Sequence, residues 1–134
     1  MVCNRIRILV VGRKNYERQC KMKIVNRGDV YFCRGRPGTV GCEERKTRPV
    51  IIVQNDIGNA KSQTTIAVPL TSNTDKHRHP MQFYLQLPGH RPSKALCDQI
   101  MTIDKQRLLN KVYRLTAREL QQLDCCLKVS LGLQ

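Results

Sequence analysis

The sequence predicts a mainly β fold, a small barrel or sandwich closed by C-terminal helices, and three observations predict it. Short β-branched runs alternate with clusters of Gly, Pro, Asn and Asp. The hydrophobic period changes from two to that of a helix only near the end of the chain. Finally, 134 residues with 40% hydrophobic content suit one domain with a workable core. No window approaches the roughly 18 uninterrupted apolar residues of a membrane helix, and the run Ile8 to Val11 is too short for a secretory signal core of about 7–15 residues.

The elements follow in order. Residues 1–21 hold Arg5, Arg7, Arg13, Lys14, Arg18 and Lys21 against Glu17 alone, and read as a basic, poorly ordered extension. The domain proper is expected over residues 22–134, opening with a strand-like segment from Met22 to Val30. Val30 to Cys33 is β-prone and is followed by a long loop containing Gly35, Pro37, Gly38 and Gly41. Val50 to Val53 reads as a buried central strand with Pro49 at its first position. Asn55-Asp56 and Gly58-Asn59 mark a turn. Thr64 to Val68 is the next strand, ending at Pro69-Leu70-Thr71. Met81, Phe83, Leu85 and Leu87 alternate with polar residues on a half-exposed strand, and Lys94 to Ile103 reads as one more. A short helix is expected from Asp104 to Tyr113, with Asp104 as cap. Thr116 and Glu119 form a capping box ahead of the stripe Leu120, Leu123, Leu127 and Leu131.

Charge narrows the partner. The chain has 24 Lys and Arg against 10 Asp and Glu, a formal net charge of +14. Such an excess favours a polyanion, either a phosphate chain or an anionic surface, and the soluble composition favours nucleic acid. Seven cysteines make an odd count without a C-x-x-C pair, so they read as small buried apolar residues in a reducing, cytoplasmic setting. His77 and His79 flank Arg78, but no carboxylate or thiol completes a ligand set, so neither metal nor cofactor is expected. P-loop, H-E-x-x-H and nucleophile-elbow signatures are all missing, and the carboxylates are too scattered for paired acid–base work.

What remains is phosphate handling by Arg, Lys, Thr, Ser and Asn. The densest constellation runs from Arg34 to Arg48, with Arg34, Arg36, Arg45, Lys46 and Arg48 opposed by Glu43 and Glu44. Arg48 precedes Pro49, which restricts it to an extended conformation at the mouth of a buried strand. Two readings stay open for it: a bidentate phosphate ligand, or a loop anchor paired with Glu43 or Glu44. Thr71 would stand beside Arg48 if their strands are neighbours.

Four blocks carry a resemblance. Arg27-Gly28-Asp29-Val30-Tyr31, Gly41-Cys42-Glu43, Thr47 to Asp56 together with Thr65 to Thr71, and Asp98 to Leu108 occur in the order seen in the MazF/PemK family of toxin endoribonucleases. The resemblance covers about residues 23–131. It implies an SH3-like (CcdB/PemK/MazF-type) β barrel with a C-terminal helix, assembled as a homodimer. It also implies a type II toxin that cleaves single-stranded RNA at a short sequence without a metal ion. Attack by the 2′-hydroxyl would leave a 2′,3′-cyclic phosphate and a 5′-hydroxyl. An acidic cognate antitoxin would neutralise the enzyme and form a DNA-binding complex with it. Carried over by position, Arg48 and Thr71 are the catalytic pair, while Arg27, Cys42, Glu43, Arg45, Lys46 and Gln99 fall where RNA is gripped. Departures at Arg45-Lys46-Thr47, where glycines are usual, and at Cys42, where serine is common, fall on base-gripping positions and bear on the sequence cut. The same resemblance leaves two other readings: a catalytically silent binder of single-stranded RNA, and a gyrase-directed toxin of the same fold.

Overall fold

The computed structural model describes residues 22–36, 46–74 and 79–134. Seven strands are present among them: β1 (Asp29–Cys33), β2 (Arg48–Ile52), β3 (Thr64–Thr71), β4 (Gln82–Leu85), β5 (Ser93–Leu96), β6 (Met101–Asp104) and β7 (Leu108–Arg114). Helix α1 spans Asp56–Lys61, a 3-10 turn spans Lys105–Arg107, and helix α2 spans Ala117–Leu131. All strand pairs are antiparallel, in the order β4-β5-β3-β2-β1-β7, with β6 also beside β3. Among the described residues no ladder joins β4 to β7, so the sheet is open where a ring would close. The mainly β architecture with a terminal helix is as expected.

Strand β3 organises the sheet. Its first half, Thr64 to Ala67, pairs with β6, and its last residues, Leu70 and Thr71, pair with β5. From the other side β2 takes Ala67 to Pro69. Pro69, which has no N–H to donate, falls between the β6 and β5 ladders, so the strand runs through it to Thr71.

The apolar run in β2 is buried on both faces. Ile51 packs with Val30, Val68, Leu70 and Leu85 in one cluster, which α2 covers with Leu123 and, at its margin, Leu120 and Leu127. Val50 and Ile52 face the opposite way, joining Tyr31, Cys33, Ala67, Ile103 and Leu108. Such double burial explains a continuous rather than alternating β-branched run. Gly28 fixes the approach to β1 with φ of +91°, and a Cβ there would come within 3.0 Å of Leu120. Both its N–H and its carbonyl are used, bonding Ile52 O and Leu115 N.

Several expectations are corrected. The segment expected as a helix from Asp104 to Tyr113 is the 3-10 turn followed by β7; Asp104 does cap, but it caps the turn, accepting from Gln106 N at 2.8 Å. Lys94 to Ile103 is two strands, broken by a turn in which Gln99 N–H bonds Leu96 O at 3.0 Å. The turn expected at Asn55 to Asn59 is α1, with Asn55 accepting from Gly58 N at 2.8 Å. Met22 to Asn26 is irregular, and Pro49 is the second residue of β2. The capping box of Thr116 and Glu119 is present as read, but Leu131 lies beyond the packed stripe and is exposed.

Of the described cysteines, Cys33 and Cys97 are buried, Cys126 is half-buried and Cys125 is exposed. Burial, with Cys126 beside it, pushes the Cys97 thiol up to about 12. The extension 1–21, the loop residues Cys42, Glu43 and Arg45, and His77 lie outside the described residues. Among the described residues no helix is long and apolar enough to cross a membrane.

Candidate active site

The β2–β3 register places Val50 opposite Pro69. Carried two residues outward along both strands, the same register sets Arg48 level with Thr71. On its other side Arg48 pairs with Cys33, and Thr71 in turn pairs with Lys94. A row of four strands therefore presents Cys33, Arg48, Thr71 and Lys94 at one level, and residues opposed in an antiparallel sheet share a face.

Arg48 borders two cavities. One, of about 420 Å³, brings together Lys46, Arg48, Thr71, Ser72, His90 and Arg91 over a floor that includes Leu70 and Leu87. The other, of about 400 Å³, is lined by Arg34, Arg36, Lys46, Arg48, Gln99 and Arg107, above Cys33, Val50 and Met101. No carboxylate is among the described residues that line either one. The apolar floors lower the local dielectric, which strengthens the pull of the surrounding cations on an anion.

The side chains are held by recognisable local devices. Thr71 Oγ1 accepts from Asn73 N at 3.2 Å, which leaves the hydroxyl hydrogen available to donate elsewhere. Arg107 donates through Nε and a terminal nitrogen to Arg34 O at 3.0 and 2.8 Å, and Arg34 N–H returns a bond to Arg107 O at 2.8 Å. That clamp ties the exit of β1 to the 3-10 turn. The turn is itself nailed down by Lys105, which is buried and donates to Asn59 O. Burial lowers the Lys105 pKa. Asn59 is fixed by Thr65 Oγ1 at 2.8 Å and by its own bond to Gln54 O at 2.9 Å. Burial raises the Cys33 thiol, against the opposite pull of Arg107 and Arg36.

Of the residues singled out in the sequence, Arg48, Thr71, Lys46 and Gln99 are brought together around these cavities. Arg27 is placed elsewhere. Its backbone N–H bonds Asp56 at 2.7 Å, its Nε bonds Val53 O at 2.9 Å, and its guanidinium pairs with Asp124 at 2.6 Å. It lines neither cavity. Sequence reasoning missed Arg107, His90 and Arg91. Arg107 follows a capping Asp104 in a block already quoted, so a tight turn there would have exposed it. His90-Arg91 sits in a Pro-Gly loop with no pattern of its own. Among the described residues no group of three or more His, Cys, Asp or Glu side chains is assembled for a metal.

Comparison with known proteins adds to this geometry. The family model for PemK-like, MazF-like toxins of type II toxin–antitoxin systems matches residues 26–131. Endoribonuclease EndoA of Bacillus subtilis (strain 168) is 41% identical over 113 residues, covering 82% of this chain and 97% of that protein. Among solved structures, MazF from Deinococcus radiodurans superposes with a TM-score of 0.68 at 20% identity, covering 83% of this chain and 99% of that one. A mycobacterial endoribonuclease in complex with its cognate antitoxin gives 0.67 at 24% identity, covering 82% and 97%. At these identities the two structures speak to the fold.

Proposed function

We propose that this chain, which belongs to the PemK-like, MazF-like toxins of type II toxin–antitoxin systems, is an endoribonuclease that cuts single-stranded RNA through Arg48 and Thr71. The observation that carries the site is their shared cavity: the two side chains stand level on adjacent strands, among cations and above an apolar floor. The activity itself comes from the family and from the 41% identity to EndoA.

The chemistry asks little of the protein beyond geometry and charge. RNA supplies its own nucleophile, the 2′-hydroxyl, so catalysis needs in-line alignment with phosphorus and stabilisation of the extra negative charge on the phosphorane. Arg48 donates two parallel hydrogen bonds to nonbridging oxygens, a fork that lysine does not reproduce. Thr71, its oxygen already oriented by Asn73, donates to a nonbridging oxygen as well. The products carry a 2′,3′-cyclic phosphate and a 5′-hydroxyl. Around the second cavity Lys46, Arg34, Arg36 and Arg107 hold neighbouring phosphates, and Gln99 offers an amide to a base edge.

The partners follow from the same charge. A homodimer binds RNA along this cationic side, and an acidic antitoxin segment covers it by electrostatic complementarity. Toxin–antitoxin association should weaken as salt rises; indifference to salt would count against an acidic segment.

The test is direct. Long RNA is incubated with purified protein in EDTA and the fragment ends are mapped. Discrete cuts ending in cyclic phosphate, lost in both Arg48→Ala and Thr71→Ala, support the proposal. Intact RNA with a folded dimer would sink it, in favour of a silent RNA binder or a gyrase-directed toxin.

A further inference from the structure

The reaction above leaves one role without a residue, the group that takes the proton from the 2′-hydroxyl. Arginine, with a pKa above about 12, is a poor base. Thr71 contributes a hydroxyl, while Lys46 and Arg91 contribute cations. Among the described residues lining the cavity shared by Arg48 and Thr71 there is one imidazole, His90.

His90 is held in place by its loop and by an aromatic ring on β1. The chain between β4 and β5 turns at Gly89, whose φ of +74° lies in the left-handed region. His90 N–H then bonds Leu87 O at 3.1 Å, and Gln86 Nε2 donates to His90 O at 2.7 Å. The ring meets Phe32 edge-on, with centroids 5.7 Å apart and planes at 60°. Phe32 pairs across the sheet with Pro49, the residue that follows Arg48. The imidazole is thus moored to β1 through Phe32, and it lines the cavity that Arg48 and Thr71 also line. It remains exposed, and among the described residues neither ring nitrogen is engaged in a hydrogen bond.

We propose that His90 is the general base of the cleavage reaction, an assignment that rests on the endoribonuclease reading above. An unprotonated ring nitrogen takes the 2′-hydroxyl proton as the 2′-oxygen bonds phosphorus. The bond from phosphorus to the 5′-oxygen breaks, and that oxygen takes a proton from solvent water. The imidazolium then returns its proton to the solvent, so the site ends as it began. The charged groups that line the cavity with the ring are Lys46 and Arg48 at the β2 edge and Arg91 on its own loop. Imidazole is the side-chain type whose charge changes between roughly pH 5 and 8, the range in which such a base is useful.

Single-turnover cleavage of an RNA with a mapped cut site, followed from acid to alkaline pH, tests the assignment. The wild-type rate should fall towards acid pH, because the base must be unprotonated. His90→Gln and His90→Ala should be slower by about 10²- to 10⁴-fold and lose that acid limb. Both should still bind the same RNA carrying 2′-deoxy sugar at the cut, and added imidazole should restore cleavage by His90→Ala. His79→Gln, a histidine outside the cavity, should behave as wild type. The assignment is overturned if His90→Gln cuts at the wild-type rate with its acid limb intact. A wild-type rate that falls only above neutral pH, or a His90→Ala defect that imidazole leaves untouched, overturns it too. If the wild-type protein leaves RNA whole, the endoribonuclease reading fails first and takes this role with it.

Discussion

The two ends of the β1–β2 strand pair handle positive charge differently. Near Gly28, Arg27 meets Asp124, and Lys111 and Arg114 of β7 flank the buried carboxylate of Asp29 at 3.0 and 3.5 Å. Near Cys33, Arg34, Arg36, Lys46, Arg48 and Arg107 border a cavity with no carboxylate among its described lining. In the first region cations and carboxylates neutralise one another and tie elements together. In the second, the described cations line a concave surface, which is where an incoming anion feels positive potential most. A net charge of +14 counts both regions alike; only the fold separates the cations that tie elements together from those that line a cavity.

Substitutions at each end should therefore fail in different assays. The largest effect is expected for Arg48→Lys, which keeps the charge and loses the fork. Its cleavage rate should fall by at least about 10²-fold with the thermal midpoint unchanged, and a near-normal rate would reduce Arg48 to a point charge. Next comes Asp29→Ala, which strands the N–H of Asn26 and removes the anion between Lys111 and Arg114. Urea unfolding should register a loss of about 2 kcal/mol, while cleavage by the folded fraction persists. Arg27→Ala should cost about 1 kcal/mol, since its ion pair is partly exposed but its bond to Val53 O is not replaced. Lost cleavage at unchanged stability would move Arg27 into the RNA-gripping set. The smallest change is expected for Lys46→Ala: a plot of log affinity for single-stranded RNA against log salt should become shallower by about 0.7.

The sequence made the centre of the fold legible and blurred its periphery. Val50 to Ile52, the alternation Phe83, Leu85, Leu87 and the Thr116 capping box each carry their signal within a few residues. Strand β7 does not. Leu108, Leu109 and Val112 have spacings that a helix also uses, and what makes them a strand is pairing with β1, with two register shifts along the ladder. The same holds for α1, whose Asn55 cap looks like a turn until the chain beyond it is seen to bury Asn59. At the site, Arg48 and Thr71 were readable because proline and a strand end mark them, and because four blocks together resemble a family. His90 and Arg107 were not, since each reaches its cavity only through a loop closing over a distant strand.

The β1–β7 pairing also bears on how the molecule comes into being. Lys23, just ahead of β1, is anchored on the carbonyl of Leu108, 85 residues further along the chain. Arg34 waits for Arg107 in the same way. A ribosome adding about 5–20 residues per second needs roughly four to seventeen seconds to cover that distance. Throughout that interval the β1 edge has no β7 to cover it, and the second cavity lacks Gln99, Met101 and Arg107. The second cavity therefore comes together only after the stretch from Gln99 to Arg107 has been made, later than the β1 and β2 residues that form its other wall.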